Sequence, residues 1–232
     1  MTSTRFSGPM RSVRVAVTAV SAALLAVAGG LCTQAAAAPS PAEPSASEQA
    51  PQGLWTIPTA PADSATLIVA YSFGNRIPAG ADPARTIGDP GPVNEALAAA
   101  VVATRGDRDL PVYAQTEIAQ VLSSRYGMTD VVSIDPVRNA EGTLIYLSTD
   151  GVAAQVAALR GAAIADDAAA VVAFADHQWR ATRTTARHGF RAFAPAGVAM
   201  PDQYDPRSGQ LWTTSRLLYL PTDLLGRLAL LK

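Results

Sequence analysis

Cysteine is almost absent from this chain of 232 residues: the single one, Cys32, lies just past an apolar run near the N-terminus. One thiol cannot close an intrachain disulfide, and a cysteine-ligated metal site is excluded with it. Histidine is nearly as scarce, with only His177 and His188. Eleven residues apart on one helix-like stretch, they cannot both serve a single metal; the sequence points to no metal site and names no cofactor. Charge is balanced as well as sparse, 18 Lys+Arg against 19 Asp+Glu for a net −1, so no general basic field exists to draw nucleic acid. Missing too are the G-x-S-x-G elbow, the P-loop, a G-x-G-x-x-G after the first apolar run, H-E-x-x-H and a calcium loop. Function has to be argued from local clusters.

The N-terminal segment carries one such signal. Arg11 and Arg14 precede the apolar run "VAVTAVSAALLAVAGGL", and "TQAAAA" follows it, the order of a secretory signal peptide over residues 1–38 with cleavage near Ala38. Cys32 follows Gly29, Gly30 and Leu31, whereas a lipidation box wants a small residue directly before the cysteine. An uncleaved anchor is the other reading of the run. Cleavage would remove Cys32 and three arginines, taking the net charge from −1 to −4. The expected destination is outside the cytoplasm, secreted or in the cell envelope. Residues 39–64, rich in Pro, Ala and Ser and without apolar period, read as a linker from which Trp55 and Ile57 could dock on a following domain.

From residue 65 short apolar runs alternate with helical stretches. "ATLIVAY", "LPVYAQ", "VVSID", "AAVVAFA" and "FRAFA" are separated by "PVNEALAAAVVATR", "EIAQVLSSRYG", "DGVAAQVAALRGA" and "HQWRATRTTARHG". Continuous apolar strands between helices of ten or more residues imply βαβ units. The expected fold over residues 65–232 is therefore α/β, a Rossmann-like three-layer sandwich with a mainly parallel five-stranded sheet. In such sheets ligands collect outside the carboxyl ends of the strands.

Polar residues gather at those ends. The long Gly/Pro-rich loop after the first run holds Gly74, Asn75 and Arg76; Gln115, Thr116 and Glu117 follow the second, Asp135 the third, and Asp176 and His177 the fourth, with Thr149 opening the third helix. Thr116, Thr149 and Asp176 taken singly are good helix caps. Arg180 is harder to explain, because a cation in a first turn opposes the helix dipole by roughly 0.3 to 1 kcal/mol unless an anion lies near. That anion is either Asp176, four residues earlier, or an external phosphate or carboxylate. His177 with Glu117 or Asp135 is the available acid/base set. Arg180, Arg183 and Arg187 at i, i+3 and i+7 otherwise describe a solvated face, and His188 a C-terminal cation.

The stretch "VVAFADHQWRATRTTARHGF" resembles the strand, turn and helix signature of the YdcF/SanA/ElyC-like bacterial envelope proteins (domain of unknown function 218), through His177, Arg180, Ala181, Gly189 and Phe190. "AYSFGNR", "YAQTEIAQVL" and "LSTDGVAAQVAAL" extend the resemblance over about residues 65–195. It implies a Rossmann-like fold and a role in envelope or peptidoglycan metabolism. The family's paired glycines after the first strand are reduced here to Gly74, and the turn after the second strand lacks its Ser-Gly.

The tail "LWTTSRLLYLPTDLLGRLALLK" suggests two short helices, with leucines before and after Pro221 and Thr222 capping the second, packed on the sheet. Contact with a membrane is expected only through the signal segment or through this tail. Two function readings follow: an exported domain that recognises a small anionic or nucleotide-like ligand through Gly74, Asn75, Arg76, Thr149, Asp176 and Arg180, with His177, Glu117 and Asp135 as candidate catalytic groups; or a non-catalytic envelope factor that keeps the fold with a degenerate site.

Overall fold

The computed structural model describes residues 56–231. The expected signal peptide, Cys32 and Trp55 lie outside the described residues.

The chain builds an α/β, Rossmann-like sandwich. Its strands are β1 (Thr59–Pro61), β2 (Leu67–Ala70), β3 (Val112–Gln115), β4 (Val131–Ile134), β5 (Val137–Arg138), β6 (Leu144–Ile145), β7 (Ala168–Val172) and β8 (Arg191–Ala196). Its α-helices are α1 (Gly91–Arg105), α2 (Thr116–Tyr126), α3 (Thr149–Arg160), α4 (Gln178–Arg187) and α5 (Arg216–Ala229). Six strands form one sheet in the order β1-β8-β7-β2-β3-β4, every neighbouring pair parallel, while β5 and β6 make a separate antiparallel hairpin.

Alternation within the strands produces the layers. Ile68, Ala70, Val112, Ala114, Ala170 and Val172 face a core with Val93, Leu97 and Val101 of α1 and Ile118 and Leu122 of α2. The intervening Leu67, Val69, Tyr71, Tyr113, Ala169 and Val171 face a second core with Val152 and Val156 of α3 and Ala181 of α4. Leu67, Ile68 and Val69 have no exposed surface, so each contributes about 1.5–3 kcal/mol by burial. A sheet covered on both faces has to be apolar on both, which is why its central strands read as unbroken apolar runs.

The sixth strand is the first departure from the sequence reading. Residues 59–61, within the stretch read as linker, pair in parallel with Ala194, Pro195 and Ala196 of β8, and Ala194 N–H donates to the Pro58 carbonyl at 2.8 Å. Ile57 is half-buried beside this edge.

The second departure is the tail. In place of two helices, α5 runs unbroken through Pro221. The backbone bond that Pro221 cannot make would have gone to the Leu217 carbonyl. Leu217 is 83% exposed, so water reaches that region and the proline is tolerated. The leucines do not pack on the sheet. Tyr219 and Asp223 are the buried residues of α5, and its leucines are turned outward.

Candidate functional site

Strand order fixes where the site lies. β2 leads to β3 and β4 on one side, whereas β7 and β8 extend from β2 on the other. The order of strand addition reverses between β2 and β7, and the crevice beyond their carboxyl ends is where α/β proteins of this kind bind ligands. A cavity of about 190 Å³ opens there, lined among others by Ser72, Gly74, Gln115, Tyr146, Thr149, His177, Arg180, Trp212 and Tyr219.

The loop leaving β2 is held by side chains rather than by secondary structure. Ser72 N–H donates to Gln115 Oε1 at 2.9 Å, Phe73 N–H to Asn94 Oδ1 at 2.9 Å, and Asn94 Nδ2 to the Gly74 carbonyl at 2.7 Å. Gly74 has φ +72°, and a Cβ there would lie 2.4 Å from Ser208 Oγ, so this turn admits only glycine. Thr149 is free to face the cavity because the residue before it caps α3: Ser148 Oγ accepts from Gly151 N–H at 3.0 Å.

At the floor lies a buried cluster centred on Asp223. Its Oδ1 accepts from Arg180 Nε at 2.9 Å and its Oδ2 from Arg227 Nε at 2.6 Å. Arg180 also donates to Thr149 Oγ1 at 2.9 Å and to Tyr219 Oη at 3.1 Å. Tyr219 Oη lies 2.7 Å from His177 Nδ1 and 3.2 Å from Asp223 Oδ1, so either Nδ1–H donates to Tyr219 while Tyr219 donates to Asp223, or Tyr219 donates to an unprotonated Nδ1. In either arrangement the other ring nitrogen, Nε2, is the one beside Thr149 Oγ1, at 3.3 Å. Gly226 lets α5 approach this closely: a Cβ there would lie 2.7 Å from Arg180 Cδ.

Electrostatics follow from the packing. Burial, reinforced by the positive Arg180 and only partly opposed by Asp223, pushes the His177 imidazole down to about 4. It is neutral at pH 7. Burial alone would raise the Asp223 carboxyl, but His177, Arg180 and Arg227 outweigh it and hold it well below the usual carboxylate range. Burial raises the Tyr219 hydroxyl above its ordinary value. Two guanidiniums thus share one carboxylate beside a neutral imidazole, and Arg180 is the member of this group that presents positive charge to the cavity.

Of the residues singled out in the sequence, the fold brings Gly74, Thr149, His177 and Arg180 to this cavity. Glu117 stands behind it, buried, accepting from Tyr146 Oη at 2.8 Å and Asn75 Nδ2 at 3.3 Å. Asn75 lines an adjoining cavity. The others are occupied elsewhere. Arg76 forms a two-pronged pair with Asp205, at 2.7 and 3.0 Å, that ties the first loop to residues 205–213. Asp135 is exposed and accepts from Thr116 Oγ1 and Ser133 Oγ at 2.7 and 2.5 Å. Asp176 accepts from Tyr204 Oη at 2.8 Å and pairs with Arg216 at 3.1 Å, so the anion for Arg180 is Asp223 rather than Asp176. None of Thr116, Thr149 and Asp176 caps a helix. Arg183 and Arg227 lie against Trp179, with guanidinium carbons 5.3 and 5.2 Å from its ring, and His188 pairs with Asp150 at 2.8 Å.

Comparison with protein-family models, curated proteins and solved structures finds no match. The chemistry has to be read from these side chains.

Sequence reasoning missed Tyr219 and Asp223. Their signal was present: with Arg227 they recur at i, i+4 and i+8, a polar stripe on a leucine-rich helix. Among the described residues no group of three or more His, Cys, Asp or Glu side chains is placed to hold a metal, and no helix is long and apolar enough to cross a membrane.

Proposed function

We propose that this chain is an exported cell-envelope α/β domain of the YdcF/SanA-like type that binds a phosphate-bearing or nucleotide-like metabolite at the carboxyl edge of its sheet, in envelope or peptidoglycan metabolism. The observation that carries this reading is the buried sharing of Asp223 by Arg180 and Arg227 beside neutral His177. A guanidinium has five N–H donors, and the three Arg180 contacts to Asp223, Thr149 and Tyr219 leave two for a ligand oxygen. Charge-assisted bonds from arginine to phosphate or carboxylate are among the strong ones. The cavity, about 190 Å³, suits a phosphate or a single sugar ring; pockets that enclose a whole drug-sized ligand hold about 300–1,000 Å³. The export signal, together with the His177 and Arg180 pattern, supports the envelope setting.

Thermal-shift titration of the protein with inorganic phosphate, nucleotides and sugar phosphates tests this. An anion should raise the melting temperature of the wild type, and Arg180→Ala or His177→Ala should weaken its binding by about 1.5–3 kcal/mol, some ten- to hundredfold. Equal binding by wild type and both variants, or no stabilisation by any of these anions, refutes the reading.

One observation favours the second reading, a non-catalytic envelope factor. Asp135 is on the surface beside Ser133, and Glu117 does not line the cavity, so neither expected carboxylate stands with His177 before a ligand, and its carboxylate neighbour Asp223, 4.0 Å away, is already engaged by Arg180 and Arg227. Turnover of a chromogenic phosphate ester that disappears in His177→Gln would exclude this second reading.

A further inference from the structure

The polar cavity has a neighbour. A second cavity, about 180 Å³, shares Tyr146, Gln210 and Trp212 with it and is otherwise walled by the apolar Ile77, Pro83, Ile87, Pro136 and Leu144 together with Asn75, Thr86 and Gly209. No charged side chain lines it. We propose that the two cavities are halves of one site, and that the ligand is amphipathic: an anionic head at Arg180 and His177 carrying an apolar substituent that lies against Ile77, Ile87 and Leu144. This rests on the reading of the polar cavity as an anion site and adds the class of ligand.

Three features support it. The apolar walls come from separate segments tied to one another: Leu144 N–H donates to the Ala84 carbonyl at 2.7 Å, Arg138 Nη2 to the Arg85 carbonyl at 3.1 Å, and Gly209 N–H to the Asn75 carbonyl at 2.7 Å. The cavity is therefore held open by a fastened framework. At the seam Trp212 is 50% and Tyr146 39% exposed. Half-exposed aromatic rings between a polar and an apolar hollow offer flat surface to a ligand crossing from one to the other. Tyr146 is also fixed in place, its Oη 2.8 Å from both Ser72 Oγ and Glu117 Oε1. Finally, each cavity alone is smaller than the roughly 300 Å³ at which ligand pockets begin, and together they pass it.

Calorimetric titration with inorganic phosphate, methyl phosphate and hexyl phosphate separates the possibilities. Hexyl phosphate should bind the wild type at least tenfold more tightly than methyl phosphate. Ile87→Asp should abolish that dependence on chain length, and Leu144→Gln carries the same test should Ile87→Asp melt early. Arg180→Ala should weaken both esters. Equal affinity of the two esters in the wild type overturns the amphipathic ligand while leaving the anion site standing. A gain that survives in Ile87→Asp and Leu144→Gln but is lost in Leu225→Ser puts the alkyl chain on the outer face of α5 and overturns it as well. If none of the three phosphates binds, the anion reading itself fails, and this inference with it.

Discussion

The two faces of α5 differ in a way opposite to habit. Its inner face presents Tyr219, Asp223 and Arg227, of which Tyr219 is 2% and Asp223 1% exposed; its outer face presents Leu217, Leu224, Leu225 and Leu228, all at least 42% exposed. A leucine-rich amphipathic helix normally lays its leucines on the core. Here the requirement that wins is electrostatic. Arg180, at the start of α4, borders the cavity and Arg227 lies against Trp179, and Asp223 supplies a carboxylate to both. Removing one partner from a buried charge cluster costs about 3–5 kcal/mol because it leaves an unpaired charge behind, while each outward leucine forgoes about 1.5–3 kcal/mol of burial. The lesson is that apolar count does not decide which side of a helix faces in when its polar side carries a carboxylate shared by two arginines.

That contrast can be broken by mutation. The largest effect is expected at Asp223→Ala, which leaves Arg180 and Arg227 without their shared carboxylate and should cost about 3–5 kcal/mol of stability in urea unfolding. A cost below 1 kcal/mol would show that the inner face is not what holds α5.

The inner cluster should also make stability depend on pH. The His177 imidazole, ordinarily near 6.5, is held near 4 in the fold, so between these values the unfolded chain binds a proton that the folded one refuses. Its contribution is complete above about pH 6.5 and is lost as pH falls toward 4, on the order of 3 kcal/mol in total. Asp223, depressed below the carboxylate range, adds its own loss only at lower pH still. His177→Gln should flatten the pH 6.5 to 4 portion of the stability profile, measured by urea unfolding at several pH values. An unchanged slope there would mean that another group titrates.

The smallest effect belongs to the outer face. Leu225 is 68% exposed, and Leu225→Ser should change stability by no more than about 0.5 kcal/mol. A loss of 2 kcal/mol would reveal that the leucine face is covered in solution.

Much of the fold was legible, and the reason is local. The strands β2, β3 and β7 are buried on both faces, so their apolar runs carry the fold without help from distant residues. β1 escaped because "TAP" in a proline-rich stretch has no period to read, and an edge strand needs only one neighbour. At the site, Thr149, His177 and Arg180 were legible because strand ends and helix starts can be counted from the sequence. Tyr219 and Asp223 were not, since they reach His177 and Arg180 from about forty residues downstream in a segment whose leucines dominate any hydrophobic reading. The capping expectation for Thr149 failed by one position, because two hydroxyls stand side by side and Ser148 took the role.

The pairing of β1 with β8 bears on how the protein is made. Thr59 faces Ala194, so β1 has to wait for the synthesis of 135 further residues before its partner exists. Until then residues 59–61 are unpaired, and the exposed border of the growing sheet is β7, five apolar residues paired with β2 on one side and open on the other. Unpaired strand edges invite other chains. A chain cut short before residue 191 would keep that border open permanently. Nascent or truncated molecules are thus the aggregation-prone forms, and the closing of the sheet by its earliest and latest strands is the step that ends the exposure.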